Sequence, residues 1–129
     1  MVHRKLDRPD LPRTGLFEIL LLLLGRRKLA RVDGSSMQPT LKHGDWVLYR
    51  NDTYPADLVD RVVVCKHPYE KRLIIKRVQD VAESGGLYLI GDFPEESTDS
   101  RTFGTVSRDR LVGYAVSYRR PTSIERSAH

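Results

Sequence analysis

Ser36 lies in the run Gly34-Ser35-Ser36-Met37-Gln38-Pro39-Thr40-Leu41, and Lys76 lies forty positions later in Leu73-Ile74-Ile75-Lys76-Arg77-Val78. A serine hydroxyl is a weak nucleophile until a base adjoins it. A glycine two residues before it permits close backbone approach, and Pro39 fixes the turn that follows. In a strand, Lys76 shares its face with Ile74 and Val78, while Ile75 and Arg77 point the other way. Such a lysine either snorkels at an edge or is held neutral in an apolar pocket, where desolvation lowers its pKa toward the range of a general base. Buried beside Ser36, it would take the hydroxyl proton during attack on a carbonyl and return it to a leaving amine. That is a Ser-Lys variant of the nucleophile-and-base logic of serine hydrolases.

A third segment carries further polar chemistry: Gly91-Asp92-Phe93-Pro94, then Ser97-Thr98-Asp99-Ser100-Arg101, then Gly104. Asp99 and Arg101 are two apart and can pair, pinning the loop. Ser97 can hydrogen-bond the lysine amine and orient it. The same residues also suit a plain polar loop held by an Asp-Arg pair.

Short apolar runs broken by turn residues must position these groups. Trp46 to Tyr49, Leu58 to Cys65, Leu73 to Val81, Leu87 to Ile90 and Leu111 to Tyr118 alternate with Gly, Pro, Asn and Asp clusters. This predicts a mainly β, compact, barrel-like domain over 31–118. Residues 93–105 read as a polar loop and 119–129 as a flexible tail. The N-terminal 1–30 read as a basic arm with one short apolar helix, Leu16 to Leu24, for which Thr14 can cap the start and Gly25 the end. Nine helical residues rise about 14 Å, roughly half of a ~30 Å hydrocarbon core, so the helix is too short to span. Three cations, Arg26, Arg27 and Lys28, follow it where a cleaved signal peptide would show small residues. It is expected to dock on the domain or to lie in a membrane interface.

The 129 residues carry a formal net charge of +5, and all of that excess sits in residues 1–31. The remainder is balanced, so the folded body lacks the basic face that nucleic-acid binding needs. The basic arm, residues 4–28, instead suits peripheral contact with an anionic membrane or an acidic partner. One cysteine, Cys65, allows no intrachain disulfide and fits a cytoplasmic setting. The histidines are scattered without zinc spacing, so neither a metal nor another cofactor is expected.

The three segments, in this order, resemble the boxes of the signal peptidase I family of Ser-Lys proteases. Gly34, Ser36, Met37, Pro39, Thr40, Leu41, Gly44 and Asp45 match the first; Lys76, Arg77 and Val78 the second; Gly91, Asp92, Ser97, Asp99, Ser100, Arg101 and Gly104 the third. The resemblance implies Ser36 as nucleophile, Lys76 as base, Ser97 as orienting partner, Asp99 and Arg101 as loop supports, and Gly34 and Met37 at the substrate and oxyanion side. It also implies small side chains before the scissile bond. Phe93 stands where the family has Asn, Val59-Asp60 where it has Gly-Asp, and Gly34 where some members carry an oxyanion-donating Ser. The short helix stands where exporting members carry a spanning one. Lys66-His67-Pro68-Tyr69 and the Pro94 to Arg101 run are similar to a subgroup that matures nickel-type superoxide dismutase by removing an N-terminal propeptide. That resemblance implies a protein precursor as partner, with the nickel belonging to the substrate. Export-type processing at a membrane is the rival activity, and non-catalytic binding of a precursor or membrane is the rival from another class.

Overall fold

Among the described residues six antiparallel strands form one sheet: β1 (Lys28–Arg31), β2 (Trp46–Arg50), β3 (Val62–Lys66), β4 (Leu73–Val81), β5 (Leu87–Ile90) and β6 (Leu111–Arg119), in spatial order β1-β2-β6-β3-β4-β5. This computed structural model describes residues 11–93, 95 and 98–122. The mainly β expectation holds, with β4 and β5 at the limits read from their apolar runs. The barrel does not: β1 and β5 are opposite edges of an open sheet. Closure is unnecessary because each face has its own apolar cover.

Alternation along β3 divides the core. Val62 and Val64 face one cluster with Val32, Met37, Leu41, Val47 and Ile75; Val63 and Cys65 face the other with Ile74, Val78, Leu87, Leu89 and Val106. Burial pushes the Cys65 thiol up to about 12, so it is an inert core group and no nucleophile. Gly113 is required where β6 crosses β2. A Cβ there would lie 2.5 Å from the Tyr49 ring and 2.7 Å from the Arg50 carbonyl oxygen.

The first and last described segments are tied to this frame. Thr14 N–H donates to the Tyr118 carbonyl, and Tyr118 N–H to that of Pro12. Arg13 and Arg120 both stack on the Tyr118 ring, and Arg120 chelates Asp45, which is fully buried. Ordered structure therefore continues past residue 118, into the segment read as tail. It also begins before residue 31, because β1 starts at Lys28, inside the segment 1–30 read as arm.

The helix α1 spans Leu16–Leu23. Thr14 is not its cap: Gly15 holds that place, and the Thr14 hydroxyl is engaged with Ser117 Oγ at 2.9 Å. Gly25, at φ +77°, ends the helix as expected, with Arg26 N–H closing on the Leu21 carbonyl. No residue of α1 is buried; Leu16 is 86% exposed and Leu23 78%. One polar tie folds back on it, a two-pronged bond from Arg27 to Glu18 at 2.8 and 3.3 Å. Among the described residues no helix is long and apolar enough to cross a membrane.

Candidate active site

The turn after β1 carries the serine. It leaves the sheet at Val32, reverses through Gly34 at φ +89°, and returns at Asp45. Val32 N–H donates to the Asp45 carbonyl, and Gly44 N–H to that of Val32. Inside this neck the Asp45 carboxylate accepts the Lys42 N–H at 2.8 Å, and His43 Nδ1 accepts the Gly34 N–H at 2.9 Å. Met37 and Leu41 plug the loop into the core. Ser36 is thereby presented on a short, fastened turn with its side chain half-buried.

Strand β4 carries the lysine to it. Lys76 is 5% exposed, and its Nζ lies 3.0 Å from Ser36 Oγ. That is within reach for a proton exchange between the two. Burial lowers the Lys76 pKa from its ordinary value of 10.5; the Asp99 carboxylate opposes this, and Arg72 and Arg101 reinforce it. The alternative of an edge lysine snorkelling into water is thus not what the fold provides.

Two acid-base pairs fix the surroundings. Arg77, next to the lysine on the opposite face of β4, makes two bonds to Asp92, Nε–Oδ1 2.9 Å and Nη2–Oδ2 2.8 Å, with both side chains 3% exposed. Its remaining arm donates to the Asp60 carbonyl at 2.7 Å, and Asp60 itself sits at φ +71°. Asp92 also accepts the Thr40 hydroxyl at 2.5 Å, and Phe93 N–H donates to the Ser36 carbonyl at 2.9 Å. The serine turn is therefore tied to the lysine strand through Thr40, Asp92 and Arg77. The second pair is Asp99 and Arg101, with Nη2–Oδ2 2.6 Å and Nε–Oδ1 3.0 Å. Buried Asp99 also accepts Gly91 N–H and caps the short helix α2 (Ser100–Phe103). Ser100 Oγ accepts the Leu89 N–H at 2.8 Å, stitching that helix to β5.

Of the residues singled out from sequence, Ser36, Lys76, Asp99 and Arg101 come together as described, while Ser97 lies outside the described residues. Gly34 supplies the left-handed backbone of the turn, and Met37 is a core side chain that also floors the cleft. The Thr40–Asp92–Arg77 connection and the His43 clasp were not read from sequence. A signal for the first exists: a hairpin joining β4 to β5 must bring Asp92 back beside Arg77, and two opposite charges in apolar strands need each other.

The cleft beside Ser36 is a cavity of about 110 Å³, lined by Arg31–Asp33 on one wall and Arg72–Lys76 on the other. Its two walls are strand edges. Leu73–Lys76 pair with β3 on one side, whereas β5 takes up only Arg77–Val81 on the other. The first wall extends β1, the outermost strand. An extended peptide laid between these edges would find backbone donors and acceptors on both sides. Its carbonyl carbon would pass the hydroxyl of Ser36. Among the described residues no group of three or more metal-ligating side chains is present.

In comparisons with known proteins, the family model described as signal peptidase, peptidase S26, matches residues 15–82, just over half of the chain and including both Ser36 and Lys76. No curated protein matches the chain.

Proposed function

Since the chain belongs to the signal peptidase family of serine peptidases, we propose that it is a Ser-Lys endopeptidase that trims an N-terminal propeptide from a protein precursor, most specifically the proform of a nickel-type superoxide dismutase. The observation that carries the chemistry is the 3.0 Å approach of a buried Lys76 amine to Ser36 Oγ. Neutral Lys76 accepts the Ser36 proton as Oγ bonds to the scissile carbonyl carbon. The carbonyl oxygen becomes an oxyanion beside the Ser36 turn, whose backbone N–H groups are the nearest candidates to stabilise it. Collapse expels the amine of the mature protein, which takes the proton from Lys76, and leaves the propeptide as an ester on Ser36. Water, deprotonated by the same lysine, then releases it.

The choice of precursor is supported by the sequence runs around His67 and before Arg101. Incubation of the full chain with the dismutase proform and, separately, with a secretory preprotein distinguishes the readings. The expected result is a single cut in the proform, located by mass spectrometry and absent with Ser36→Ala. Cleavage of the preprotein alone would make the chain an export-type peptidase. Binding of either without cleavage by the parent chain would make it a non-catalytic carrier.

A peripheral membrane role fits the same protein. Leu16, Phe17, Ile19, Leu20 and Leu23 of α1 are exposed, while Glu18, Leu21 and Leu22 are half-buried, and Arg26 and Lys28 follow the helix in the open. A helix rising about 12 Å can lie in a lipid interface with its flanking cations on anionic headgroups. The full chain should float with vesicles containing anionic lipid and fail to do so after Leu20→Glu and Leu23→Glu. Equal flotation of the two forms would remove the role.

A further inference from the structure

Beyond the catalytic cleft, the turn between β3 and β4 opens a second cavity, of about 430 Å³, that the proposed reaction does not use. Its lining carries four cations, Lys66, Lys71, Arg72 and Arg110, against one carboxylate, Glu70. That carboxylate is already engaged, accepting Arg72 Nε at 2.6 Å. The turn itself is well fastened. Buried His67 accepts the Tyr69 and Glu70 N–H groups on Nδ1 at 3.0 and 3.1 Å, and its ring rests edge-on against Phe103. Its own N–H donates to the Arg72 carbonyl. Arg110, at the end of the 3-10 helix Arg108–Arg110, joins by one arm, Nη1 donating to the His67 carbonyl at 3.3 Å. Among the described residues, the Lys66 and Lys71 amines and the rest of the Arg110 fork have no acceptor.

This cavity continues the cleft. Arg72 and Leu73 line both, and Arg72 also lines the space in front of Ser36 and Lys76. Going back along the strand edge from Lys76 to Arg72 covers about 13 Å at roughly 3.3 Å per residue. A peptide extended along that edge, with its carbonyl at Ser36, reaches the cavity about four residues from the scissile bond. We propose that the cavity is an accessory subsite that takes an acidic side chain of the precursor, about three to five residues from the bond that is cut. The inference rests on the reading of the chain as a Ser36 peptidase that trims a precursor. A carboxylate matches the groups on offer: the Arg110 fork can bind its two oxygens, and the lysines add point charges beside it. An anionic lipid surface needs no concave site, whereas a substrate lying in the cleft passes this one. Lys66, Lys71 and Arg72 are open to solvent, so the interaction is modest and weakens with salt. It belongs to substrate binding and leaves the bond-breaking step alone.

Single Glu, Gln and Lys substitutions in the dismutase proform, at the third to sixth residues on each side of its cut, map the preference with the full chain. Glu in place of Gln should lower KM roughly three- to tenfold near the fourth residue on one side only, with kcat within about twofold, and Lys should raise KM. Lys66→Glu combined with Lys71→Glu should invert the order, making Lys the preferred residue at that position. A misfolded protein cannot produce an inversion. Charge indifference at every position overturns the proposal. So does a preference for Glu on both sides of the bond, which would be the general attraction of a chain of net charge +5. A direct arm adds acetyl-tetraglutamate amide to the 15N-labelled full chain. The probe should shift the Lys66, Lys71 and Arg72 amides in the parent but not in the double variant, and the tetraglutamine analogue should shift them in neither. Shifts confined to other residues, or shifts from vesicles of anionic lipid where the peptide gives none, overturn the proposal. The peptide arm holds whether or not the chain is a protease, so a failure of that reading would appear separately, as no cut in any proform by the parent chain.

Discussion

Lys76→Met should abolish cleavage and make the protein more stable at neutral pH. The loss should be about 10³-fold or more, because a serine without its base retains only the contribution of binding and oxyanion contacts. The gain follows from the sign of the lysine's shift. Its folded pKa is depressed, largely by burial. Between that value and 10.5 the unfolded chain binds more protons than the folded one, so stability rises with pH across the window. Below the window, the cost of burying the amine is fully present. Methionine has about the same length and no charge to bury. The difference in melting temperature between Lys76→Met and the parent should therefore be largest at low pH and shrink as pH approaches 10.5. The parent's activity should run the same way, falling as pH drops through the lysine's folded pKa. A variant that keeps a tenth of parental cleavage, or that melts below the parent at pH 7, contradicts this account.

Asp92→Ala should be the most destabilising single change at the site, by about 3–5 kcal/mol, because it strands the Arg77 guanidinium in a buried setting with one carbonyl for company. For a chain of this size that is a fall of roughly 10–20 °C in melting temperature. The damage extends beyond stability. Asp92 also receives the Thr40 hydroxyl, so its removal unties the serine turn from the strand that bears the lysine. Combining Asp92→Ala with Arg77→Met should recover much of the stability and little of the activity, since the charge is gone but the connection is still absent. Urea denaturation and proform cleavage on the three proteins check both halves. Recovery of activity along with stability would show that the tie to Thr40 has no part in positioning Ser36.

Much of this architecture was legible in the chain. The runs at Leu73 to Val81 and Leu87 to Ile90 coincide with β4 and β5 because their apolar residues sit between strong turn residues. The pairing of Ser36 with Lys76 was legible because a lysine among isoleucines and valines requires a reason. Three things were not. Strand β1 is Lys-Leu-Ala-Arg, two of four residues charged, and reads as the end of the basic arm; its pairing with β2 overrides that composition. Barrel closure was inferred from strand number and spacing, which do not encode whether two edges meet. The His43 clasp depends on a turn bringing residues nine apart into register, and neither propensity nor periodicity reports that geometry.

The place of β6 in the sheet has a consequence for the order in which the protein comes into being. Among the described strands it is the last in chain order, and it lies between β2 and β3. Until residue 119 has left the ribosome, the β1–β2 hairpin and the β3–β4–β5 meander share no strand ladder. Each brings one wall of the cleft, Arg31–Asp33 from the first and Arg72–Lys76 from the second. A nascent chain thus holds its serine and its lysine on two separate pieces. The cleft between them is complete only when β6 inserts and joins the two pieces into one sheet.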